Sequence, residues 1–313
     1  MKTTFINCLM ELAEKNQNLL LLTGDIGFGV LAPFQEKFSE RFINVGISEQ
    51  NMASVAAGLA LEGKTVYTYS IGNFNTLRSL EQIRNDIAYH NANVKIVSVG
   101  GGFSYGAMGM SHHATEDISI MRSLPEMRVF VPCDSIETTA VMRLADSISG
   151  PCYIRLGKEN EPVFHQNKSD ILEINRLQLL RSGSDVAILA AGPVVIEALK
   201  AAHMLIDQNI SCAVYSCPSI KPLDQVGIQQ IAECFSYIFT IEEHNIFGGI
   251  GSAVCEVLSV LPRHAPLFRF GLTDEYTSVI GTQCYLREVY GLESKNIYET
   301  IIKLKSRSSG ARE

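Results

Sequence analysis

The chain of 313 residues carries a formal net charge of -7, with 46% hydrophobic and 19% charged residues. That length accommodates about two domains of ordinary size, and the composition excludes a disordered chain. The acid excess removes any global electrostatic reason to bind nucleic acid or an anionic membrane, while a local basic pocket for a phosphate stays open.

The first residues, MKTTFINCLMELAEKNQN, place Glu11 and Glu14 inside any apolar core, so they do not read as a signal peptide. No apolar run reaches the roughly 18 residues that a membrane span needs. A cytoplasmic location is expected. β-rich runs at 19–22, 42–45, 65–69, 94–99, 129–131 and 152–155 alternate with helical patterns at 5–14, 48–61, 76–90 and 135–145. This order predicts an α/β fold whose mostly parallel sheet is covered by helices. Val94-Lys95-Ile96-Val97-Ser98-Val99 suits a strand buried on both faces. The polar stretch 157–175 reads as a linker. A second α/β pattern follows, with strands at 186–190, 212–215, 237–241 and 267–270 and helices at 193–206, 224–234 and 251–260. The expected organisation is a first domain at 1–160, a linker at 161–177 and a second domain at 178–313.

The eight cysteines form no C-x-x-C pair and sit mostly among apolar residues, so they read as buried reduced thiols. Candidate chemistry lies in loops at the C-terminal ends of the parallel strands. Thr23-Gly24-Asp25-Ile26-Gly27 is not a Walker loop, and alone it reads as a tight turn, as does Gly100-Gly101-Gly102. Yet the Gly-rich stretch from 100 to 117 is longer than a plain connector needs. His112-His113 is no metal pair by itself, since adjacent side chains diverge on a regular element. Arg78 reads as a helix-face residue, and Arg155 as either a surface arginine or a phosphate contact. Glu49 opens an Ala-rich helix in Gly46-Ile47-Ser48-Glu49-Gln50-Asn51. It is either a charge set against the helix dipole or a working acid aimed into a pocket.

Taken together, these loops resemble the transketolase family. The resemblance rests on Thr23-Gly24-Asp25, Gly46-Ile47-Ser48-Glu49-Gln50-Asn51, Leu80-Glu81-Gln82-Ile83-Arg84-Asn85, and Gly109-Met110-Ser111-His112-His113-Ala114-Thr115-Glu116-Asp117. Met121-Arg122-Ser123-Leu124-Pro125-Glu126-Met127, Val131-Pro132-Cys133-Asp134, Tyr153-Ile154-Arg155 and Glu242-Glu243-His244-Asn245 continue it, ahead of Gly248-Gly249-Ile250-Gly251. It implies a pyrimidine-binding thiamine diphosphate domain followed by a transketolase C-terminal-like domain. The Gly-Asp-Gly and Asn of the diphosphate-binding half have no counterpart here. The chain thus resembles the C-terminal subunit of a split transketolase. A separate N-terminal subunit would hold Mg2+ and the diphosphate, in an assembly of two copies of each chain.

The family cofactor, thiamine diphosphate, supplies a nucleophilic carbon after its thiazolium gives a proton to its own aminopyrimidine. The resemblance assigns Glu49 as the acid that hydrogen-bonds the pyrimidine, a role suited to a carboxyl in an apolar pocket. Phe74 is the candidate for stacking on the ring, though its spacing to Arg78 is one residue off the commoner pattern; a core Phe is the alternative. Asp25 and Arg78 fall beside the cofactor. His112 falls at a catalytic and substrate-binding position, with His113 next to it and Arg155 at the sugar-phosphate position. Two departures stand out. Met108 replaces an acid, and Gly100 stands where a phosphate-binding histidine is expected, so the substrate channel is expected to be less polar and less basic. The expected activity is two-carbon ketol transfer on a sugar or sugar phosphate. The alternatives are a deoxyxylulose-phosphate synthase-like half, a 2-oxoacid dehydrogenase β-type half, and a non-catalytic partner-binding half. The triplet Glu242-Glu243-His244 reads as either a subunit-contact element or a solvated face.

Overall fold

A computed structural model describes residues 1–158, 161–165 and 172–310. Part of the expected linker, residues 166–171, and the last three residues of the expected second domain lie outside the described residues.

The chain opens with α1 (Lys2–Lys15), β1 (Leu19–Thr23), a short α2 (Ala32–Lys37), β2 (Phe42–Asn44), α3 (Glu49–Leu61) and β3 (Thr65–Ile71). A compound helix follows, built from a 3-10 turn (Leu77–Ser79), α4 (Leu80–Gln82) and a π-helical segment (Ile83–Ala88). Then come β4 (Val94–Val99), α5 (Asp117–Ser123), β5 (Arg128–Phe130), α6 (Ser135–Ser147) and β6 (Cys152–Leu156). Beyond the linker the order is β7 (Gln178–Arg181), β8 (Val186–Ala191), α7 (Val195–Met204), β9 (Cys212–Ser216), β10 (Ser219–Lys221), α8 (Gln225–Cys234), β11 (Tyr237–Asn245), α9 (Ile250–Leu258), β12 (Leu267–Leu272), α10 (Gln283–Val289) and α11 (Ser294–Gly310).

The first sheet runs β10-β5-β6-β4-β3-β1-β2 and the second β12-β11-β8-β9-β7. Each is parallel except for one antiparallel edge strand, β10 in the first and β7 in the second. The central strands β1, β4, β6 and β8 are buried along their whole length, as their unbroken apolar runs require when helices cover both faces. Thr23, Lys95, Ser98 and Arg155 are buried polar exceptions in these strands. Lys95 Nζ donates to the carbonyls of Ile148 and Gly150, each at 2.8 Å, so the buried ammonium is hydrogen-bonded.

Helix α3 turns Met52, Ala53, Ala56, Ala57 and Ala60 into the core, and these small side chains let it lie close on the sheet. The stretch 76–90, expected as one regular helix, changes pitch twice. Its widened last segment keeps Ile83, Ile87 and Ala88 all buried.

Strand β10 belongs to the first sheet although it follows β9 of the second, pairing Ser219 with Phe130 and Lys221 with Val129. One hydrophobic cluster accordingly runs from Val94, Ile96 and Val129 through Ile220 to Leu189 and Ile238. Of the eight cysteines, Cys8, Cys133, Cys152, Cys212 and Cys217 are buried free thiols. Cys234, Cys255 and Cys284 are exposed, which corrects the reading of all eight as buried. Among the described residues, no helix is long and apolar enough to cross a membrane.

Candidate active site

Three loops at the C-terminal edge of the first sheet meet around Glu49. This residue is the first of α3, so the helix-dipole reading holds, but its side chain is also only 2% exposed. The loop after β1 packs against it: a Cβ on Gly24 would stand 3.5 Å from Glu49 Cγ. Arg78 Nη1 donates to Glu49 Oε2 at 2.8 Å. The pocket expected to be apolar therefore contains a cation, and at 44% exposure that cation reaches it from the open side.

The Arg78 guanidinium also sits over the Phe74 ring, 4.2 Å from its centre. The imidazole of His112 meets the same ring edge-on, at 5.1 Å between centres. A positioning residue missed in the sequence explains why this loop sits here. Buried Asn73 donates from Nδ2 to the carbonyls of Ser111 at 3.2 Å and His113 at 3.0 Å. One amide thereby ties the 110–113 loop to the residue beside Phe74. Glu49, Arg78, Phe74 and His112 thus come together from three separate sequence motifs.

Asp25 lies at the edge of this group. Its backbone is left-handed (φ 58°), and it exchanges hydrogen bonds with Asn44. Asp25 N donates to Asn44 Oδ1 at 3.0 Å, and Asn44 Nδ2 donates to Asp25 Oδ1 at 3.1 Å.

A cleft of about 710 Å³ opens beside these residues, with His112, Met108 and Tyr105 in its wall. Lys2 and Lys158 line it as well, and Lys158 Nζ stands 5.5 Å from the centre of the Tyr105 ring. The channel holds more positive charge than Met108 and Gly100 led one to expect. Gly100 itself is explained by packing: with φ at +87°, a Cβ there would collide with the Tyr105 ring. Burial pushes the His112 imidazole below its ordinary pKa, and the neighbouring His113 adds to the effect. Ser111 Oγ lies 3.0 Å from His112 Nδ1.

Two expected substrate contacts lie elsewhere. Arg155 is 3% exposed and points into the seam between the two sheets. Its Nε donates to Asp117 Oδ2 at 2.8 Å, and its Nη2 to the carbonyls of Ala114 at 2.6 Å and Glu243 at 3.0 Å. It is a buried clamp, not an arginine open to a sugar phosphate. The Gly-rich loop makes room for it, since a Cβ on Gly101 would stand 2.6 Å from Arg155 Nε. His113 is 1% exposed, with Nδ1 at 2.7 Å from Thr277 Oγ1 and Nε2 at 2.9 Å from the Gly106 carbonyl. Both ring nitrogens are used internally, so it is not placed to touch a substrate.

The Glu242-Glu243-His244 triplet is buried as well, which overturns the solvated-face reading. Glu242 accepts the amides of Ile250 (2.8 Å) and Gly251 (2.9 Å) at the start of α9. Glu243 accepts from Phe103 N at 2.9 Å and from the Arg287 guanidinium. His244 Nδ1 lies 2.6 Å from the Asn245 carbonyl, and its Nε2 accepts from Ser119 N at 3.2 Å.

Residues 1–163 match the model of the transketolase pyrimidine binding domain, and residues 175–297 that of the transketolase C-terminal domain. The chain belongs to the transketolase family, as its C-terminal half. It is 35% identical over 303 residues to one of the subunits of the apulose-4-phosphate transketolase of Phocaeicola vulgatus, covering 96% of each chain. It is 34% identical over 311 residues to the 6-deoxy-6-sulfo-D-fructose transketolase subunit SqwH of a Clostridium species, covering 99% of this chain and 95% of that one. Among solved structures it superposes on a split gene transketolase in the form of an inactive beta4 tetramer. The TM-score is 0.88 at 37% identity, with 96% of each chain covered. The family domains imply dependence on thiamine diphosphate.

Proposed function

We propose that this chain is the pyrimidine-side subunit of a two-subunit, thiamine diphosphate-dependent ketol transferase acting on a ketose with an anionic tail. The observation that carries this reading is the guanidinium of Arg78. It sits over the Phe74 ring, 4.2 Å from its centre, while donating to Glu49 Oε2. A carboxylate acceptor and an aromatic face thus flank one planar cationic group. An aminopyrimidine has the same planarity and the same need for a partner at a ring nitrogen. Arg78 is exposed enough to swing aside and leave Glu49 and Phe74 to hold that ring.

In this reading, Glu49 holds the proton at the ring nitrogen and Phe74 fixes the ring plane. His112 faces the cleft as a neutral imidazole at pH 7 and hydrogen-bonds substrate oxygens. In the tautomer that has Ser111 Oγ donating to Nδ1, the ring proton sits on Nε2 and is available to a substrate carbonyl or hydroxyl. Lys158, with Lys2 near it, offers charge to a phosphate or sulfonate. The names of the two relatives, an apulose-4-phosphate enzyme and a sulfo-fructose enzyme, support a tail of that kind. Met108, 59% exposed in the same wall, adds an apolar surface where an acid is common in the family.

The partner subunit supplies Mg2+ and the diphosphate contacts, and two copies of each chain form the assembly. The inactive beta4 form of a related split transketolase supports the need for that partner. The test is reconstitution with an N-terminal partner chain, thiamine diphosphate and Mg2+, followed by two-carbon transfer from phosphorylated and sulfonated ketoses. Glu49→Gln is expected to lower kcat/KM by about 10²–10⁴-fold without changing thermal unfolding. A Glu49→Gln enzyme within a few-fold of wild type defeats the assignment. A product that requires pyruvate defeats ketol transfer.

A further inference from the structure

Away from the cleft, the turn between β5 and α6 gathers a second group of reactive side chains. Cys133 and Asp134 precede α6, Glu137 lies in its first turn, and His165 comes from the segment 161–165. One donor atom from each of Cys133, Glu137 and His165 lies within 4.8 Å of the other two. Cys133 and Glu137 are fully buried, and the His165 side chain is 9% exposed.

The hydrogen bonds around the group aim its donors at one another. Glu137 Oε2 accepts from Cys133 N at 2.7 Å, while Oε1 is buried without a hydrogen-bond partner and lies 3.5 Å from His165 Nε2. The other ring nitrogen, His165 Nδ1, stands 2.9 Å from Asp134 Oδ2. Asp134 also accepts the amides of Ile136 and Glu137 through Oδ1, so its carboxylate is fixed as the cap of α6. An ionised carboxylate only accepts, so Nδ1 carries a proton toward Asp134, while Nε2 faces Glu137 Oε1. A buried carboxylate oxygen without a hydrogen-bond partner, facing an imidazole nitrogen, calls for a proton or a metal cation between them.

The donor set argues for a metal ion over a shared proton. A carboxylate behind the far nitrogen of an imidazole is the outer arrangement that orients a metal-bound histidine. One thiolate, one imidazole and one carboxylate make a mixed S, N, O set suited to Zn2+. Ser216, at the end of β9, stands beside Cys133 and Glu137, and its buried hydroxyl forms no well-aligned hydrogen bond. It or a water completes four ligands.

We propose that Cys133 Sγ, Glu137 Oε1 and His165 Nε2 form a structural zinc-type site that fastens the segment 161–165 to the start of α6. On binding, the Cys133 thiol gives its proton to solvent and the thiolate bonds the metal, so affinity weakens as pH falls.

Co2+ is the probe, applied to the full chain after chelator treatment. The background carries Cys234→Ser, Cys255→Ser and Cys284→Ser, because those thiols are exposed. The expected result is one Co2+ per chain with a sulfur-to-cobalt charge-transfer band in the near ultraviolet. Cys133→Ser should lose the band. Asp134→Asn, which retains an acceptor for the α6 cap, should bind about 10–100-fold more weakly. If Cys133→Ser fails to fold, His165→Gln provides the same test from the outer side of the site. Absence of the band in the parent, or its persistence in Cys133→Ser or His165→Gln, overturns the proposal. So does a parent that binds no Co2+ while its stability titrates as a proton shared by His165 and Glu137.

Discussion

Two charged clusters lie within reach of the same Gly-rich loop, and they are finished differently. At the candidate site beside the cleft, Glu49 meets an arginine that is half open to solvent, and His112 and Lys158 line the cavity itself. In the seam, Asp117, Arg155, Glu243 and Arg287 are all 5% exposed or less, and their charges are met by fixed partners. Asp117 accepts from both Arg155 and the Tyr153 hydroxyl, the latter at 2.5 Å. A charge completed internally holds structure, whereas one whose partner can leave is available to a ligand. Residue type alone does not separate the two, because both clusters are made of Arg with Asp or Glu.

Removing a seam charge should break this comparison most strongly. Arg155→Leu leaves the Asp117 carboxylate buried without its cation, at a cost of about 3–5 kcal/mol. Urea denaturation should show that loss. Arg78→Leu should cost less than Arg155→Leu, because the 44%-exposed guanidinium leaves the Glu49 carboxylate open to water on that side. Equal losses would erase the distinction.

The seam also predicts a pH signature of its own, carried by Glu242 and His244. Burial pushes the Glu242 carboxyl up to about 7, despite the two amides that favour its charged form. Its contribution to stability is complete below the ordinary glutamate range and is lost as pH rises through about 7. Burial pushes the His244 imidazole down to about 4, so its contribution is complete above the ordinary histidine range and is lost as pH falls toward about 4. The two trends oppose each other, and the wild-type profile should be flat. Glu242→Gln should gain stability relative to wild type between pH 5 and pH 7.5, by about 1–3 kcal/mol in denaturant titrations. No pH dependence of that difference would mean Glu242 is ionised throughout.

The smallest effect belongs to the cleft. Lys158→Met should raise KM for a phosphorylated ketose about tenfold, as expected for one charged hydrogen bond, with little change in kcat or in stability. Steady-state kinetics on phosphorylated and unphosphorylated ketoses would sharpen the contrast. An equal effect on both would remove Lys158 from anion recognition.

The sequence carried the fold well where periodicity is local. The run 94–99 is β4 to the residue, and the Ala-rich pattern after Glu49 is α3. It missed β10, whose three residues have no pattern of their own and form a strand only because β5 offers an open edge. Glu49, Phe74, Arg78 and His112 were legible because each stands in a dense loop motif. Arg155 and His113 were misread because their partners lie far along the chain. His113 meets Thr277 across 164 residues of sequence, and Arg155 meets Glu243 across 88. Lys2 and Lys158 carry no motif, and only closure of the first sheet brings them to one cleft.

The crossing of β10 into the first sheet changes what the linker is for. A strand from beyond residue 210 seals the edge of a sheet whose other six strands end by residue 156. Cutting the peptide between 161 and 175 would leave two fragments still joined through backbone hydrogen bonds and a shared core. A gene fragment ending at the linker would instead present β5 as a bare template for a neighbouring chain. The covalent tether is thus dispensable to the architecture in a way that three residues on its far side are not.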